Sequence, residues 1–492
     1  MLETQQIRME PKIIPPIGRM RVPVKIYYSD KVDLDEEVIA ELTKLSELDS
    51  AAESIVALPD IHLKPLLESP SSTAVALRDV FSLTLSSPSQ NCGMSLLRTS
   101  LNINDINSKF LNDLFAELRS NIPVTRNEFR LTPDEFSQVL LKGSSWVVDN
   151  YGLDPDILNH IEENGNLYAN EDPDPETVLS AVPRSLYDLG RKGFGIIGRG
   201  NHFLELQVVE EIIDTAICEE FQLQKDQIVV MFHTGSDAFG ALVGRYFARR
   251  KRTLGRFQRK FSLQKALFHL HSSESLSDLR ERWKYYFSGR VHILIPIDSD
   301  EGHRCMFSVK ASANYGYANR TAIVAAVKRC FESVLNSKGF HLSILYDLSH
   351  NSIFEEEVDG EKHWVHRHNS CRVFPPSKMS KSSVFHSTGQ PVLLPGSNRT
   401  SSYICVGREG AINSLCSIDH GAGEMIDRFE SSERCKILHD GKVTKLYRYD
   451  SSNATDIPHL SDEGINEVVD IISSNNIAKP VARLRPIAVL KG

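Results

Sequence analysis

Residues 193–205 read GFGIIGRGNHFLE and concentrate what a ligand site needs. Glycines at 193, 195, 198 and 200 let the backbone turn tightly and approach a ligand with no Cβ in the way. Asn201, His202 and Glu205 follow directly. An extended backbone there would send Asn201 and Phe203 to one side and His202 and Leu204 to the other. A polar amide and an imidazole on opposite sides of one strand suit a place where a nucleotide meets a metal. The same residues also read as a Gly-rich turn followed by a hydrogen-bonded core histidine, and this stretch alone supports both readings.

Other short stretches share that character. Phe232-His233-Thr234-Gly235-Ser236 follows the apolar run Ile228 to Met231, and Asn91-Cys92-Gly93 follows a Ser/Pro-rich turn. Ser349-His350-Asn351 ends the run Leu342 to Leu348, and His420-Gly421-Ala422-Gly423 opens what reads as a helix. The chain ends ARLRPIAVLKG, at Lys491 and Gly492. Taken in order and spacing, GNHFLE, GQPVLLPGS, HGAG and RPIAVLKG resemble the RtcB family of RNA-splicing ligases, and the resemblance extends from the first strand to the terminal lysine.

The resemblance implies an α+β fold: one large domain over residues 1–492, with mixed β-sheets, surrounding helices and an active site in a central cleft. It also implies that Cys92, His202, His233 and His350 bind metal. One thiolate and three neutral imidazoles suit a borderline divalent ion such as manganese, zinc or cobalt, and a thiolate can bridge two ions. His420 is the implied nucleophile. A neutral imidazole nitrogen can attack the α-phosphate of GTP, forming a phosphoramidate and releasing pyrophosphate. In the family the guanylate then moves to an RNA 3'-phosphate, and a 5'-hydroxyl displaces it to seal the strand. Contacts to GTP are implied for Asn201, Glu205, Asn351, Pro395, Gly396, Ser397, Asn398, Ser402, Gly421, Ala422, Gly423 and Lys491. The expected partners are GTP and RNA ends, either tRNA halves or broken RNA, with room for an accessory protein.

The departures from the family pattern cluster at charges. Ser89 stands where the family has an aspartate three residues before the metal cysteine, and Ser95 where it has an arginine three residues after. Asp237 and Glu424 replace further arginines, His368 replaces a lysine, and Leu63 to Pro70 contains no glycine where the family loop is glycine-rich. Lost or reversed cations place negative charge where phosphates are expected. Asp237 or Glu424 could instead supply the carboxylate missing at Ser89. Two further readings therefore stand beside the ligase: a protein that binds RNA or nucleotide without ligating, and a metal-dependent phosphotransferase or hydrolase on RNA ends.

Composition is that of an ordinary globular chain, 41% hydrophobic and 24% charged. With a net charge of -8, any RNA surface must be a local basic patch. The eight cysteines show no CxxC pair, which points to a reducing compartment, and the sequence reads as soluble and cytoplasmic, with no apolar run long enough for a membrane and no secretory signal.

The elements that must position these residues follow from pattern. An opening strand is expected over 20–28, a helix from Asp35 to Leu48, and a strand at Ile55 to Ala57 leading into Pro59-Asp60-Ile61-His62. A further strand spans Ser95 to Thr99. Residues 105–150 read as helices broken at Pro123, 165–183 as an acidic surface loop, and helix resumes at Leu186. Residues 240–285 form a basic helical segment. There Arg245, Arg249, Arg250, Lys251, Arg252, Arg256, Arg259 and Lys260 interleave with Tyr246, Phe247, Phe257 and Phe261. This is either an RNA-backbone surface with stacking aromatics or a solvated face whose aromatics pack inward. A helix from Met306 to Leu335, rich in small residues, completes the list.

Overall fold

Long apolar runs become buried strands, and two sheets take most of them. In the computed structural model, residues 10–492 are described except 66, 128–129, 172, 249–254, 274, 288–290, 338–339, 440 and 452, with the side chains of 255–259 also outside the description. The larger sheet has nine strands. Its main path runs Leu342–Ser349, Gly93–Asn102, Gln227–Thr234, Phe203–Ile212, Ala478–Lys491, Ser402–Gly407 and Pro391–Leu394, every neighbour antiparallel. Val443–Arg448 pairs parallel with the C-terminal strand and carries Thr455–Pro458 beside it. The second sheet has six strands, in the order Lys12–Ile14, Val24–Ile26, Ala51–His62, Ser71–Leu77, Glu361–His368 and Asn351–Val358. Mixed sheets with helices around them make the fold α+β.

The helix Asp300–Leu335 holds this arrangement together. Ser299 caps its N-terminus by accepting from the Gly302 N–H, and Asp300 and Glu301 lie in its first turn, favourably placed against the helix dipole. From Ser308 to Val327 almost every side chain is buried, so this stretch of the helix has no solvent face and serves as a core element. Ala311, Ser312, Ala313, Gly316 and Ala318 keep it thin enough for helices on one side and sheet strands on the other.

Several expectations are corrected in detail. Lys12–Ile14 precedes the expected opening strand, which is confined to Val24–Ile26 after the turns around Pro23. The strand expected at Ile55 to Ala57 runs from Ala51 through His62, carrying the PDIH residues inside it. The 165–183 stretch contains the helix Pro175–Ala181, started by Asp174 accepting from the Thr177 N–H. The last long helix begins six residues before Met306, at Asp300.

In the basic segment the helices are Asp237–Tyr246, Gly255–His271 and Leu276–Tyr286. Tyr246 and Phe247 are buried, and Phe261 packs on the Tyr246 ring at 5.0 Å. These aromatics face the core and are not a stacking surface. Arg249, Arg250, Lys251 and Arg252 lie outside the described residues, as do the side chains of Arg256, Phe257 and Arg259.

Candidate active site

Strand register gathers the site. In the nine-stranded sheet His233 stands opposite Met94 on one side and Phe203 on the other. Cys92 immediately precedes the strand Gly93–Asn102, and His202 immediately precedes Phe203–Ile212. Ser349, which closes Leu342–Ser349, pairs with Gly93, so His350 follows at the same edge. Lys491, which closes the C-terminal strand, pairs with Phe203. Antiparallel alternation thus brings two strand starts and three strand ends to one place, and with them four side chains expected to bind metal.

The atoms converge accordingly. Cys92 Sγ lies 3.2 Å from His202 Nε2 and 3.1 Å from His233 Nε2, and one donor atom from each residue falls within 4.8 Å of the others. Cys92, His202 and His233 form a candidate metal site of buried residues. The His350 ring lies edge-on 4.8 Å from that of His233 and tilted 4.7 Å from that of His420, so the histidines form a continuous row from metal site to proposed nucleophile. His233 Nδ1 donates to the Asn201 carbonyl at 3.3 Å, which leaves Nε2 as the free lone pair facing Cys92. Burial holds His202, His233, His350 and His420 below the usual imidazole range, so all are neutral at pH 7. Burial also pushes the Cys92 thiol up to about 12. Among the described residues His350 Nδ1 and Ser89 Oγ are buried without a hydrogen-bond partner. A thiol, neutral imidazoles and unsatisfied buried polar atoms together fit a soft-to-borderline divalent cation.

A brace absent from the expected list fixes the Cys92 turn. Arg320, fully buried on the long helix, donates from Nε and Nη2 to Asp347, and from Nη1 and Nη2 to the Asn91 carbonyl and side chain at 2.8 Å each. It holds Asn91 in the left-handed region, φ 53°, a conformation asparagine tolerates better than most residues. Ser95, which stands where the family has an arginine, donates its hydroxyl to Asp347. Gly93 lets the strand pass beneath: a Cβ there would lie 2.3 Å from the Leu348 carbonyl and 2.8 Å from Arg320 Nη1.

A second wall collects the residues expected at the nucleotide. Gln207 Nε2 donates to Glu205 at 2.6 Å and to Ser402 Oγ at 3.2 Å, and the Gly396 N–H donates to the same Ser402 oxygen. The Pro395 carbonyl accepts from the Ala422 N–H at 3.1 Å, which seats 395–398 against 421–423; Ser397 is tied to Thr400, and Asn398 is half-buried. Asn351 accepts from the Asn369 N–H at 2.8 Å and braces the loop beside His350. Asn201 sits exposed in the turn before the strand, with its carbonyl accepting from His233 Nδ1. The turn itself needs glycine, since φ is positive at Gly195, Gly198 and Gly200, and a Cβ on Gly198 would lie 2.2 Å from His202 Nδ1.

Buried carboxyls line this side. Burial raises Glu205 to about 8 and Asp419 to about 7. The folded protein keeps both protonated where the unfolded chain, with carboxyl values near 4, has released them. Their contribution to stability therefore falls as pH rises from about 4 to about 8. Glu205→Gln and Asp419→Asn should each flatten the loss seen in denaturant unfolding between pH 5 and 8, by about 1 kcal/mol or more. Unchanged pH profiles in both variants would remove these groups from that role.

His420 is half-buried in the bend between Ser417–Asp419 and the helix Gly423–Ser431, so the helix begins three residues later than its motif suggests. Asp60 anchors that bend: its carboxylate accepts the Met425 N–H at 2.8 Å, and its own N–H donates to Asp419. Lys64, in the 63–70 loop that carries no glycine, places its charge near this centre. After burial, Lys64 is the largest cause lowering His420, and it also acts on His350 and Cys92. The replaced charges separate: Glu424 is held by Arg428 at 2.8 Å, whereas the charge of Asp237 reaches Cys92 and His202. His368 is buried with Nδ1 2.8 Å from Ser69 Oγ. No sequence pattern marks Arg320, Asp347 or Lys64, because their partners lie far along the chain.

Comparison with known proteins adds the family. The family model for tRNA-splicing ligase RtcB matches residues 41–492. A tRNA-splicing ligase RtcB of Nanoarchaeum equitans is 32% identical over 97% of this chain and 97% of its own length. One of Methanococcus maripaludis is 30% identical over 96% of this chain and 95% of its own. One of Pyrococcus abyssi is 33% identical over 82% of this chain, and the match spans only 42% of that longer relative.

Proposed function

The chain belongs to the RtcB family of tRNA-splicing ligases, and from that premise we propose that it is an RNA ligase that joins 3'-phosphate or 2',3'-cyclic phosphate ends to 5'-hydroxyl ends through a guanylylated His420. The observation that carries this reading is the row of neutral imidazoles ending at His420, one ring contact from His350 and two from the Cys92–His202–His233 cluster. A ring nitrogen of His420 attacks the α-phosphorus of GTP, the bond to the β-phosphate oxygen breaks, and pyrophosphate leaves. A divalent ion, Mn2+ first and Zn2+ or Co2+ as alternatives, would be held by Cys92, His202, His233 and His350 and would neutralise phosphate charge. Glu205, Gly396 to Asn398, Ser402, Gly421 to Gly423 and Lys491 bind and orient the nucleotide.

Asp237 is the carboxylate best placed to replace the ligand lost at Ser89, since Glu424 is engaged by Arg428. Lys64 supplies a cation in place of lost arginines. Lys64→Ala should slow adduct formation about 10-fold or more, with Lys64→Arg restoring most of it. An unchanged rate in Lys64→Ala would exclude Lys64 from phosphate neutralisation. On the same reading, residues 1–492 act as one domain in the cytoplasm on tRNA halves or broken RNA, an accessory protein being compatible with it. Among the described residues no helix is long and apolar enough to cross a membrane.

The test is incubation with α-labelled GTP and manganese. An acid-labile, alkali-stable label on the protein supports the ligase. RNA binding without a label favours a binding protein, and altered RNA ends without a label favour a phosphotransferase or hydrolase.

A further inference from the structure

A cleft of about 740 Å³ is lined in part by Gly195 of the glycine-rich turn and by none of the metal-cluster residues. Its walls come from the loop after the helix Ser108–Asn121, from the end of the helix Ser144–Tyr151 and from the long helix. Arg126 and Arg329 line it, both exposed, and among the described residues neither makes a hydrogen bond or ion pair. Tyr151, 37% exposed, lines the same cleft with its ring set edge-on against Trp146 at 6.1 Å. Arg329 is close enough to act on the Tyr151 phenol, and the nearby acid Glu135 is occupied by the Thr132 N–H and hydroxyl.

The cleft is tied to the site by backbone. Asn127, in its wall, donates to the Phe194 carbonyl at 3.0 Å, and the Ile197 N–H donates to the Pro123 carbonyl at 3.0 Å. Gly195 lines the cleft, and Gly198, three residues on, packs against the His202 ring. One stretch of chain therefore forms the floor of the cleft and the support of a candidate metal ligand.

We infer that this cleft is a second binding site, for the sugar-phosphate backbone of an RNA strand, with Arg126 and Arg329 on phosphates and Tyr151 stacking an unpaired base. The inference rests on the RNA-ligase reading and adds where the strand runs beyond the reacting end. Two guanidinium groups with no partner among the described residues, in a polar concavity, match phosphate geometry, and an exposed ring in the same cleft matches a base. In a chain of net charge -8, such a patch must be local to act at all. The paired exposed ring and guanidinium groups favour nucleic acid over an acidic peptide.

Fluorescence anisotropy with a labelled single-stranded RNA of about 12 nucleotides tests it, across a salt series. In Arg126→Glu/Arg329→Glu, affinity should fall about 10-fold or more and the slope of log K against log salt should shrink by about 1–2. Tyr151→Ala should weaken binding about 5-fold or more without changing that slope. Labelling by GTP alone should stay at the wild-type rate in all variants. Arg126→Gln/Arg329→Gln serves as a milder pair if the charge reversals unfold. Wild-type affinity and slope in the folded double variant would overturn the inference, as would a polyglutamate peptide binding there while RNA does not. If no protein labels with GTP yet RNA affinity still depends on these arginines, the ligase reading fails and the cleft stands.

Discussion

His420→Ala should give no covalent guanylate from α-labelled GTP, a loss of about 10³-fold or more relative to wild type, while metal content stays unchanged. The reason is specific to the geometry. His420 is the end of the imidazole row, partly open where the others are buried, and it follows the Ser417–Asp419 strand that Asp60 pins from the second sheet. Burial and the charge of Lys64 hold its ring neutral, which keeps a lone pair free for attack at neutral pH. A phosphoramidate forms only from such a nitrogen, and its acid lability separates it from a serine ester. The rate should depend steeply on metal concentration because Asp237 brings negative charge toward Cys92 where the family carries a cation. Lys491→Ala should retain labelling at about one-tenth of the rate, since Lys491 flanks Glu205 across the strand pair and orients rather than reacts. Wild-type labelling of His420→Ala would refute the assignment of the nucleophile.

The second large effect concerns the metal. Cys92→Ser and His233→Ala should each weaken divalent-metal binding about 100-fold or more in calorimetric titration, with His202→Ala and His350→Ala in the same direction. Cys92 is the sharpest case. Its thiol sits at about 12 in the protein without metal, so binding must displace that proton and affinity should rise with pH. A serine hydroxyl stays protonated over the whole range and cannot replace the thiolate. Ser89→Asp beside Asp237→Asn then separates two accounts of the missing carboxylate. If Asp237 already ligates, Asp237→Asn weakens binding and Ser89→Asp changes little; if the position is simply lost, Ser89→Asp tightens it. Equal metal content in Cys92→Ser and wild type would refute the site itself.

The sequence by itself determined the family, the identity of the cysteine and histidines that converge, and the strands and helices that carry them. Ile228 to Met231 and Leu342 to Leu348 are apolar runs whose ends bear His233 and His350, and such local signals need no knowledge of the rest of the chain. The glycines of 193–200 likewise announce a turn that no side chain could share. Tertiary structure alone decided the rest, because it depends on pairing across hundreds of residues. Arg320 reaches Asn91 from 229 positions away, so nothing near either residue reveals the brace. Tyr246 and Phe247 are interleaved with basic residues as a stacking surface would be, yet packing against the neighbouring helices turns them inward, and the exposed ring that shares a cleft with two arginines is instead Tyr151. Asp237 and Glu424 are equivalent as letters. The charge of one acts on Cys92 and His202 and the other is bound by Arg428, a difference that depends on neighbours brought in by the fold.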